Sequence, residues 1–319
     1  MPQARAEHLD VDSTPYYHCI SRCVRRAFLC GRDRYTGRDF DHRKEWVEER
    51  LLALSKIYAI HVHAYAVMSN HLHVVVEVDR TRAEGWTERE VIRRMGKLFR
   101  YAPKSIEALR GRARDERIAE WRERLWSLSW MMRSLNENIA RRANAEDECT
   151  GRFWEGRFKC QPLLDEGAVL ACMAYVDLNP VRAGVCSSLS GSAFTSIASR
   201  LAQSKRARRT QADPTPEGLT PFADQVGPRS TRTTAPLSLE EYVALLEWTD
   251  DALRRGESNV VPILLEELQI APGAWLATMA SQGLRTVCVV GEPVAVDEFA
   301  AKRGKAWVKG AGWAKRFFR

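Results

Sequence analysis

Asn70-His71-Leu72-His73-Val74-Val75-Val76 is the stretch of sequence that decides the fold. Its β-branched residues predict a strand. Successive side chains of a strand point to opposite faces, so His71 and His73 would share one face while Leu72 points to the other. Two imidazoles placed in this way can bind one divalent ion. The pattern alone is a weak indication of a metal site, because a second pair, His61 and His63, lies just before it.

A second segment, residues 168–179, predicts a helix that would lie against this strand. It ends before Pro180, and proline disfavours the α conformation in the residue before it. In a helix, Tyr175 and Asn179 are four residues apart and therefore lie on one face. If this face packs on the histidine strand, a phenol and an amide oxygen join the two imidazoles. Considered alone, however, a tyrosine in an apolar helix is more typical of a core residue.

The segments around the histidine strand predict an α+β fold. A strand is expected at 16–23, a helix at 41–58, a strand at 60–68 and, after a turn, the strand that begins at His71. A hairpin packed on a helix suits a ferredoxin-like central antiparallel sheet with helices. His18, in the first of these strands, is interpreted as a half-buried strand histidine. A smaller, mostly helical C-terminal region is expected in addition.

Three motifs in order carry a resemblance to a known family: the histidine strand, the segment 151–159 and the segment 175–184. Together they resemble the HUH-superfamily single-tyrosine transposases, specifically the REP-associated tyrosine transposases. The resemblance covers roughly residues 13–200 and implies the same ferredoxin-like fold. It also implies that His71, His73 and Asn179 bind Mg²⁺ or Mn²⁺ and that Tyr175 attacks single-stranded DNA. Because the turn before His71 and the valines after it match the motif, the metal is assigned to this pair and not to His61 and His63.

The segment 151–159 is a candidate DNA contact because cations and aromatic residues alternate in it. Single-stranded DNA offers both phosphates and base faces, and stacking contributes about 1–3 kcal/mol per base. The alternative is a strand with buried aromatic residues and exposed charges, which the same alternation would give. The candidate DNA-binding residues are Arg152, Phe153, Trp154, Arg157, Lys159 and Arg182.

Composition limits the class of protein. The chain has 319 residues, a net charge of +8 and a pI of about 9.2, which favours a polyanionic partner. Its eight cysteines include no Cys-x-x-Cys pair, which argues against a zinc site or a disulfide framework. No segment approaches the roughly 20 apolar residues of a membrane span, and the N-terminus does not resemble a signal peptide. We therefore expect a cytoplasmic protein with no membrane partner and no organic cofactor.

The domain organisation follows from where the apolar periodicity fades. We expect a polar leader at 1–12, a catalytic domain at 13–200 and a linker at 201–235 that is rich in Thr, Pro, Gly and Ser. An accessory C-terminal domain at 236–319, mostly helical, would add DNA affinity or bind a partner.

The function predicted on these grounds is a metal-dependent transposase. It would cleave and rejoin single-stranded or hairpin DNA through a covalent 5′-phosphotyrosine at Tyr175. A single nucleophile per chain favours a homodimer, or successive reactions, when two strands are cut. Two alternatives remain open: a non-catalytic regulator that binds DNA or RNA, and a metal nuclease that uses water as its nucleophile.

Overall fold

The computed structural model describes residues 9–24, 30–31, 37–226, 235, 237–256, 261–280 and 283–318. Residues 1–8 of the predicted leader and 227–234 of the predicted linker lie outside the described residues.

An antiparallel sheet forms the centre of the fold. Its strands are β1 (Tyr16–Arg22), β2 (Ile60–Val67), β3 (His71–Val78) and β4 (Lys159–Leu163). Their spatial order is β2-β3-β1-β4, and every neighbouring pair is antiparallel. Helix α1 (Arg43–Ser55) joins β1 to β2, and a turn at Ser69 and Asn70 joins β2 to β3. This order and connectivity are ferredoxin-like, so the predicted fold class is confirmed.

Helices fill the connections and the C-terminal region. Between β3 and β4 lie α2 (Arg80–Glu84), α3 (Glu88–Leu98), α4 (Ala102–Glu107), α5 (Gly111–Trp126) and α6 (Leu128–Glu146). After β4 come α7 (Glu166–Asp177), α8 (Asn179–Arg182) and α9 (Ser196–Thr210). The C-terminal region contains α10 (Leu239–Arg255), α11 (Ile263–Glu267), α12 (Pro272–Ala280), α13 (Gly283–Thr286), α14 (Pro293–Ala301) and α15 (Ala311–Phe317).

Apolar cores cover both faces of the sheet, and β3 contributes to each of them. Val75 belongs to the core that contains α7, whereas Leu72 and Val74 belong to the core that contains α1, α5 and α6. His73 lies on the α7 face, because its ring centroid is 6.0 Å from that of Tyr175. The alternation predicted for the histidine strand is therefore present.

The chain does not leave the helical conformation before Pro180, which corrects one expectation. Leu178 separates α7 from α8 but keeps right-handed helical angles, φ −79° and ψ −11°. Pro180 occupies the first turn of α8, where its missing N–H would have no partner within the helix. Tyr175 and Asn179 therefore stay on one face, as predicted, although they belong to two helices.

The C-terminal helices pack on α7. Residues of α10, α12, α14 and α15 belong to the same apolar core as α7. The Tyr242 hydroxyl in α10 donates to Oδ2 of the buried Asp177 at 2.7 Å. The Ser196 hydroxyl and the Ile197 N–H donate to Oδ1 of the same carboxyl group. Burial raises the pKa of Asp177, and the hydrogen bonds from Ser196 and Tyr242 oppose that shift. The boundaries of the accessory domain stay a prediction.

The buried bond between α10 and α7 should contribute to stability. We expect Tyr242→Phe to lower the free energy of unfolding by about 1–3 kcal/mol, because a buried carboxylate oxygen loses its donor. Urea unfolding at neutral pH measures this change. Tyr101→Phe is the control, since Tyr101 is 66% exposed, and it should change stability by less than about 0.5 kcal/mol. Equal stabilities of the two variants would contradict the role given to Tyr242.

Within the described residues, none of the helices combines the length and the apolar content needed to cross a membrane.

Candidate functional site

Polar side chains form a row across β4, β1 and β3. Gln161 in β4 is directly opposite His18 in β1, and Ile20 in β1 is opposite His73 in β3. His18 and His73 are therefore diagonal neighbours on one face of the sheet. Nε2 of His18 lies 2.8 Å from Nδ1 of His73, and Nδ1 of His18 lies 3.0 Å from Oε1 of Gln161. All three side chains are buried.

His71 places a second predicted metal ligand beside this row. Its ring centroid lies 4.7 Å from that of His73. Its Nδ1 lies 2.5 Å from Oδ1 of Asn70, the residue that forms the preceding turn. An amide oxygen can only accept, so Nδ1 carries the proton and Nε2 carries the lone pair of the neutral ring.

Helices α7 and α8 bring the other predicted residues to the histidines. Helix α7 begins after Asp165, whose side chain accepts from the Ala168 N–H at 2.8 Å. The Tyr175 ring centroid lies 6.0 Å from that of His73. Nδ2 of Asn179 lies 3.4 Å from Nε2 of His73. The structure thus brings together the predicted nucleophile and the three predicted metal ligands.

Arg182 joins the same group of side chains. Its Cζ atom lies 4.6 Å from the centroid of the Tyr175 ring. A guanidinium at this distance over an aromatic face makes a cation–π contact. The sequence predicted Arg182 as a DNA contact. In the structure it lies next to Tyr175, the predicted nucleophile.

Sequence reasoning did not predict a role for His18 or for Gln161. The strand position of His18 is confirmed, but its side chain is fully buried between Gln161 and His73 and not half-buried as expected. The alternation of Tyr16, His18 and Ile20 indicates a common face. Which strand that face would meet depends on strand pairing, which local patterns do not specify.

The second histidine pair has carboxylate partners instead. Nε2 of His61 lies 3.1 Å from Oδ2 of Asp79, and Nε2 of His63 lies 3.0 Å from Oε2 of Glu77. Burial lowers the pKa of His63, and its hydrogen bond with Glu77 opposes that shift. These contacts give His61 and His63 a structural explanation that needs no metal ion.

The donor set around His73 is chemically suited to a divalent ion. Two imidazole nitrogens, from His71 and His73, and the amide oxygen of Asn179 are all established types of metal ligand. Ligation by Asn179 requires the amide to turn so that Oδ1 faces the histidines, where Nδ2 lies here. No group of three or more His, Cys, Asp or Glu side chains suited to a metal occurs in the described ranges. The candidate for a third protein donor at this site is therefore the Asn179 amide.

The site is largely enclosed. Tyr175 is 1% exposed, whereas Asn179, one helical turn later, is 9% exposed. Access of a phosphate to the Tyr175 hydroxyl therefore requires a local movement of the side chains around the ring.

The predicted DNA-binding segment has buried aromatic rings and exposed cations. Phe153 and Trp154 lie in the core on the α1 side of the sheet, and Nε1 of Trp154 donates to the Asn136 carbonyl at 2.8 Å. The flanking cations are exposed: Arg152, Arg157 and Lys159. Bases could stack on Phe153 and Trp154 only if these rings left the core. Contact of the cations with phosphates needs no such change, and both roles stay predictions.

The DNA contact predicted from the sequence for residues 151–159 implies a role for the exposed cations. A variant in which Arg152, Arg157 and Lys159 are all Gln should bind single-stranded hairpin DNA more weakly. The slope of log K against log salt should fall in magnitude by about 2, because each lost contact with a single strand removes about 0.7. Fluorescence anisotropy over a salt series measures this slope.

A charge-matched control separates local contact from net charge. Arg93, Arg112 and Arg117 are exposed and paired with glutamates on the same helices. Changing these three to Gln removes the same net charge, and the salt slope should stay unchanged. Equal losses in the two triple variants would contradict a DNA contact at residues 152–159.

Comparison with known proteins gives one distant structural similarity. No protein-family profile matches the chain, and no curated protein matches it. A solved structure of a REP-associated tyrosine transposase bound to a REP hairpin is 12% identical to this chain, with a TM-score of 0.40. The similarity covers 63% of this chain and 86% of that one. The roles of residues in this chain therefore depend on its own sequence and geometry.

Proposed function

We propose that the chain is a single-tyrosine DNA strand transferase whose nucleophile is Tyr175. The observation that carries the proposal is the convergence of His71, His73, Tyr175 and Asn179 from distant parts of the sequence onto one face of the sheet. The rings of Tyr175 and His73 are 6.0 Å apart, and Asn179 lies 3.4 Å from His73. The proposed metal ligands and the proposed nucleophile of a metal-assisted phosphoryl transfer are thus adjacent.

In the proposed reaction, Tyr175 attacks a phosphorus atom of the DNA. The phenol gives its proton to solvent. The phenolate oxygen forms a bond to phosphorus while the bond from phosphorus to the 3′ oxygen breaks, and that oxygen takes up a proton from solvent. The products are a 5′-phosphotyrosine and a free 3′-OH. Attack by a 3′-OH on this linkage reverses the chemistry and joins DNA without ATP. A divalent ion bound by His71, His73 and Asn179 would polarise the scissile phosphate and offset its developing charge.

Arg182 is placed to assist the nucleophile. Its guanidinium lies over the Tyr175 ring, 4.6 Å from the centroid. A positive charge beside the attacked phosphate would offset the negative charge that develops there. When DNA enters, the same guanidinium can bind a phosphate oxygen.

The proposed substrate is single-stranded or hairpin DNA, and the proposed ion is Mg²⁺ or Mn²⁺. The exposed Arg152, Arg157 and Lys159 and the net charge of +8 support a polyanionic partner. With one nucleophile in each chain, cutting two strands would require a homodimer or two successive reactions.

The burial of Tyr175 favours one rival function. A residue that is 1% exposed in an apolar helix is also what a core tyrosine looks like. The rival is a non-catalytic regulator that binds DNA or RNA through its basic surface and makes no covalent bond. In that case binding would not depend on a divalent ion.

A denaturing-gel assay distinguishes these functions. The purified protein is incubated with end-labelled single-stranded and hairpin oligonucleotides, with Mg²⁺, with Mn²⁺ or with EDTA. We expect a metal-dependent shifted band that protease treatment removes. Cleavage with no shifted band would indicate a nuclease that uses water. Over a broad panel of hairpins, DNA that fluorescence anisotropy shows to be bound and that the gel shows to be uncleaved and without adduct would indicate the regulator.

A further inference from the structure

We infer that the C-terminal region fixes the tautomer of His73 through Gln161 and His18, so that Nε2 of His73 faces the site with a lone pair. His18 and Gln161 are positioning residues, because they act on His73 and not on DNA. The link between this arrangement and metal binding rests on the proposed function. The arrangement itself rests on hydrogen bonds of the described residues.

Two backbone carbonyls of the C-terminal region fix the orientation of the Gln161 amide. Its Nε2 lies 2.8 Å from the Leu284 carbonyl oxygen and 2.8 Å from the Val287 carbonyl oxygen. Carbonyl oxygens only accept, so both hydrogens of the amide nitrogen are directed to the C-terminal region. Turning the amide over would set Oε1 against two oxygens and lose both bonds. Oε1 of Gln161 therefore points to His18.

The protons of the two histidines follow from this orientation. Oε1 of Gln161 can only accept, so Nδ1 of His18 must donate across the 3.0 Å between them. Nε2 of the neutral His18 ring then has the lone pair and accepts from Nδ1 of His73 at 2.8 Å. His73 in turn has its lone pair on Nε2, the atom 3.4 Å from Asn179.

This is the protonation that a metal ligand needs. A metal-bound histidine donates its other ring N–H to a second group, which fixes the ring and its tautomer. For His73 that second group is His18, and the row ends on backbone carbonyls of residues 284 and 287. His71 differs, because its Nδ1 is held by Asn70 in the neighbouring turn.

The C-terminal segment is held at this position by the sheet. The Leu164 N–H donates to the Val290 carbonyl at 2.9 Å, and the Val290 N–H donates to the Pro162 carbonyl at 3.1 Å. The segment therefore pairs with β4, which is an edge strand of the sheet. Edge strands have unpaired backbone groups, and pairing covers them. The carbonyls that orient Gln161, those of residues 284 and 287, come shortly before this bridge in the chain and lie far in sequence from Gln161.

The tautomers can be observed directly in the metal-free full-length protein. Two-bond ¹H–¹⁵N correlation spectra of histidine-labelled protein distinguish the protonated from the unprotonated ring nitrogen. Signals are assigned with single His→Gln substitutions. We expect His18 and His73 both to carry the proton on Nδ1. A proton on Nε2 of His73 in the wild-type protein would overturn the inference without any test of activity.

Two substitutions at one position test the cause. Gln161→Leu removes the acceptor, and His18 and His73 should lose the uniform Nδ1-protonated form, while His71 should keep it. In Gln161→Glu, burial and the two carbonyl oxygens favour the protonated carboxyl. Its O–H can donate to one carbonyl while its other oxygen accepts from His18, so both tautomers should be retained. Gln203→Leu is the control, because Gln203 also donates to a backbone carbonyl, that of Asp213, at an exposed position. A folded Gln161→Leu protein with wild-type tautomers, or the same change in both Gln161 variants, would overturn the inference.

Metal affinity provides the link to function. Mn²⁺ should bind the Gln161→Leu variant about tenfold or more weakly, the usual effect of losing a group that orients a ligand. The wild-type protein could show the expected tautomers and yet never form a DNA adduct. That result would support this inference and refute the proposed function. If Tyr175 forms the adduct but His73 carries its proton on Nε2, the proposed function is supported and this inference is refuted.

Discussion

Tyr175→Phe should lower the single-turnover rate of DNA cleavage by at least about a thousandfold and abolish the covalent adduct, because loss of a nucleophile removes the reaction pathway itself. The substitution removes one oxygen atom and keeps the ring. Packing of that ring on His73 and His18, at 6.0 and 6.5 Å, should therefore persist. DNA affinity, measured by anisotropy in the same buffer, should change by less than about twofold.

Tyr58→Phe is the matched control for this prediction. Tyr58 is also buried, and its hydroxyl lies 2.8 Å from the Ser134 hydroxyl, in the core on the other side of the sheet. Loss of such a hydrogen bond costs about 1 kcal/mol of stability and should leave the cleavage rate within about threefold. If Tyr175→Phe and Tyr58→Phe cleave equally well, the nucleophile is not Tyr175.

The second large effect is expected at the metal ligands. His71→Ala and His73→Ala should each weaken Mn²⁺ binding by about a hundredfold or more, since even loss of an outer group that orients a ligand costs 10–100-fold. Isothermal titration calorimetry with Mn²⁺ measures the affinity. Cleavage at low Mn²⁺ should fall in parallel, and excess Mn²⁺ should restore part of it in either single variant.

His61→Ala is the control for the metal ligands. His61 lies on the neighbouring strand, and its ring faces Asp79 at 3.1 Å. We expect its removal to change Mn²⁺ affinity by less than about twofold. A large loss of affinity in His61→Ala, with normal affinity in His71→Ala, would transfer the metal site to the other histidine pair.

Local patterns predicted the parts of the fold whose side chains alternate or recur with a clear period. The histidine strand was predicted to begin at His71, where β3 begins, because β-branched residues follow the two histidines. Helix α1 was predicted from its apolar face. The common face of Tyr175 and Asn179 also followed from helical spacing, which the short interruption at Leu178 does not disturb.

Features that depend on pairing between distant segments could not be predicted. Strand β4 has five residues and contains Pro162, so it has no strand pattern of its own and exists because it pairs with β1. The contact of His18 with His73 depends on the register between β1 and β3. The bonds from Gln161 to residues 284 and 287 join segments more than a hundred residues apart.

The alternation of charges and aromatic residues at 151–159 fits two roles for the same residues. The sequence allowed either exposed rings for base stacking or buried rings with exposed charges. Phe153 and Trp154 are buried because Phe153 packs edge-on against Trp154, at 5.0 Å between centroids, and the Trp154 N–H is satisfied by Asn136. The burial of a ring depends on which distant residues pack against it, and the sequence of a nine-residue segment does not specify those residues.

The most direct test of the central claim is to identify the residue that becomes linked to DNA. Protein incubated with hairpin DNA and Mn²⁺ is digested with nuclease and trypsin, and the peptides are analysed by tandem mass spectrometry. Trypsin is expected to release residues 160–182 as one peptide, in which Tyr175 is the sole tyrosine. We predict that Tyr175 in this peptide carries a nucleotide linked through its 5′-phosphate. A nucleotide linked to any other residue, or cleaved DNA with every tyrosine unmodified, would contradict the account.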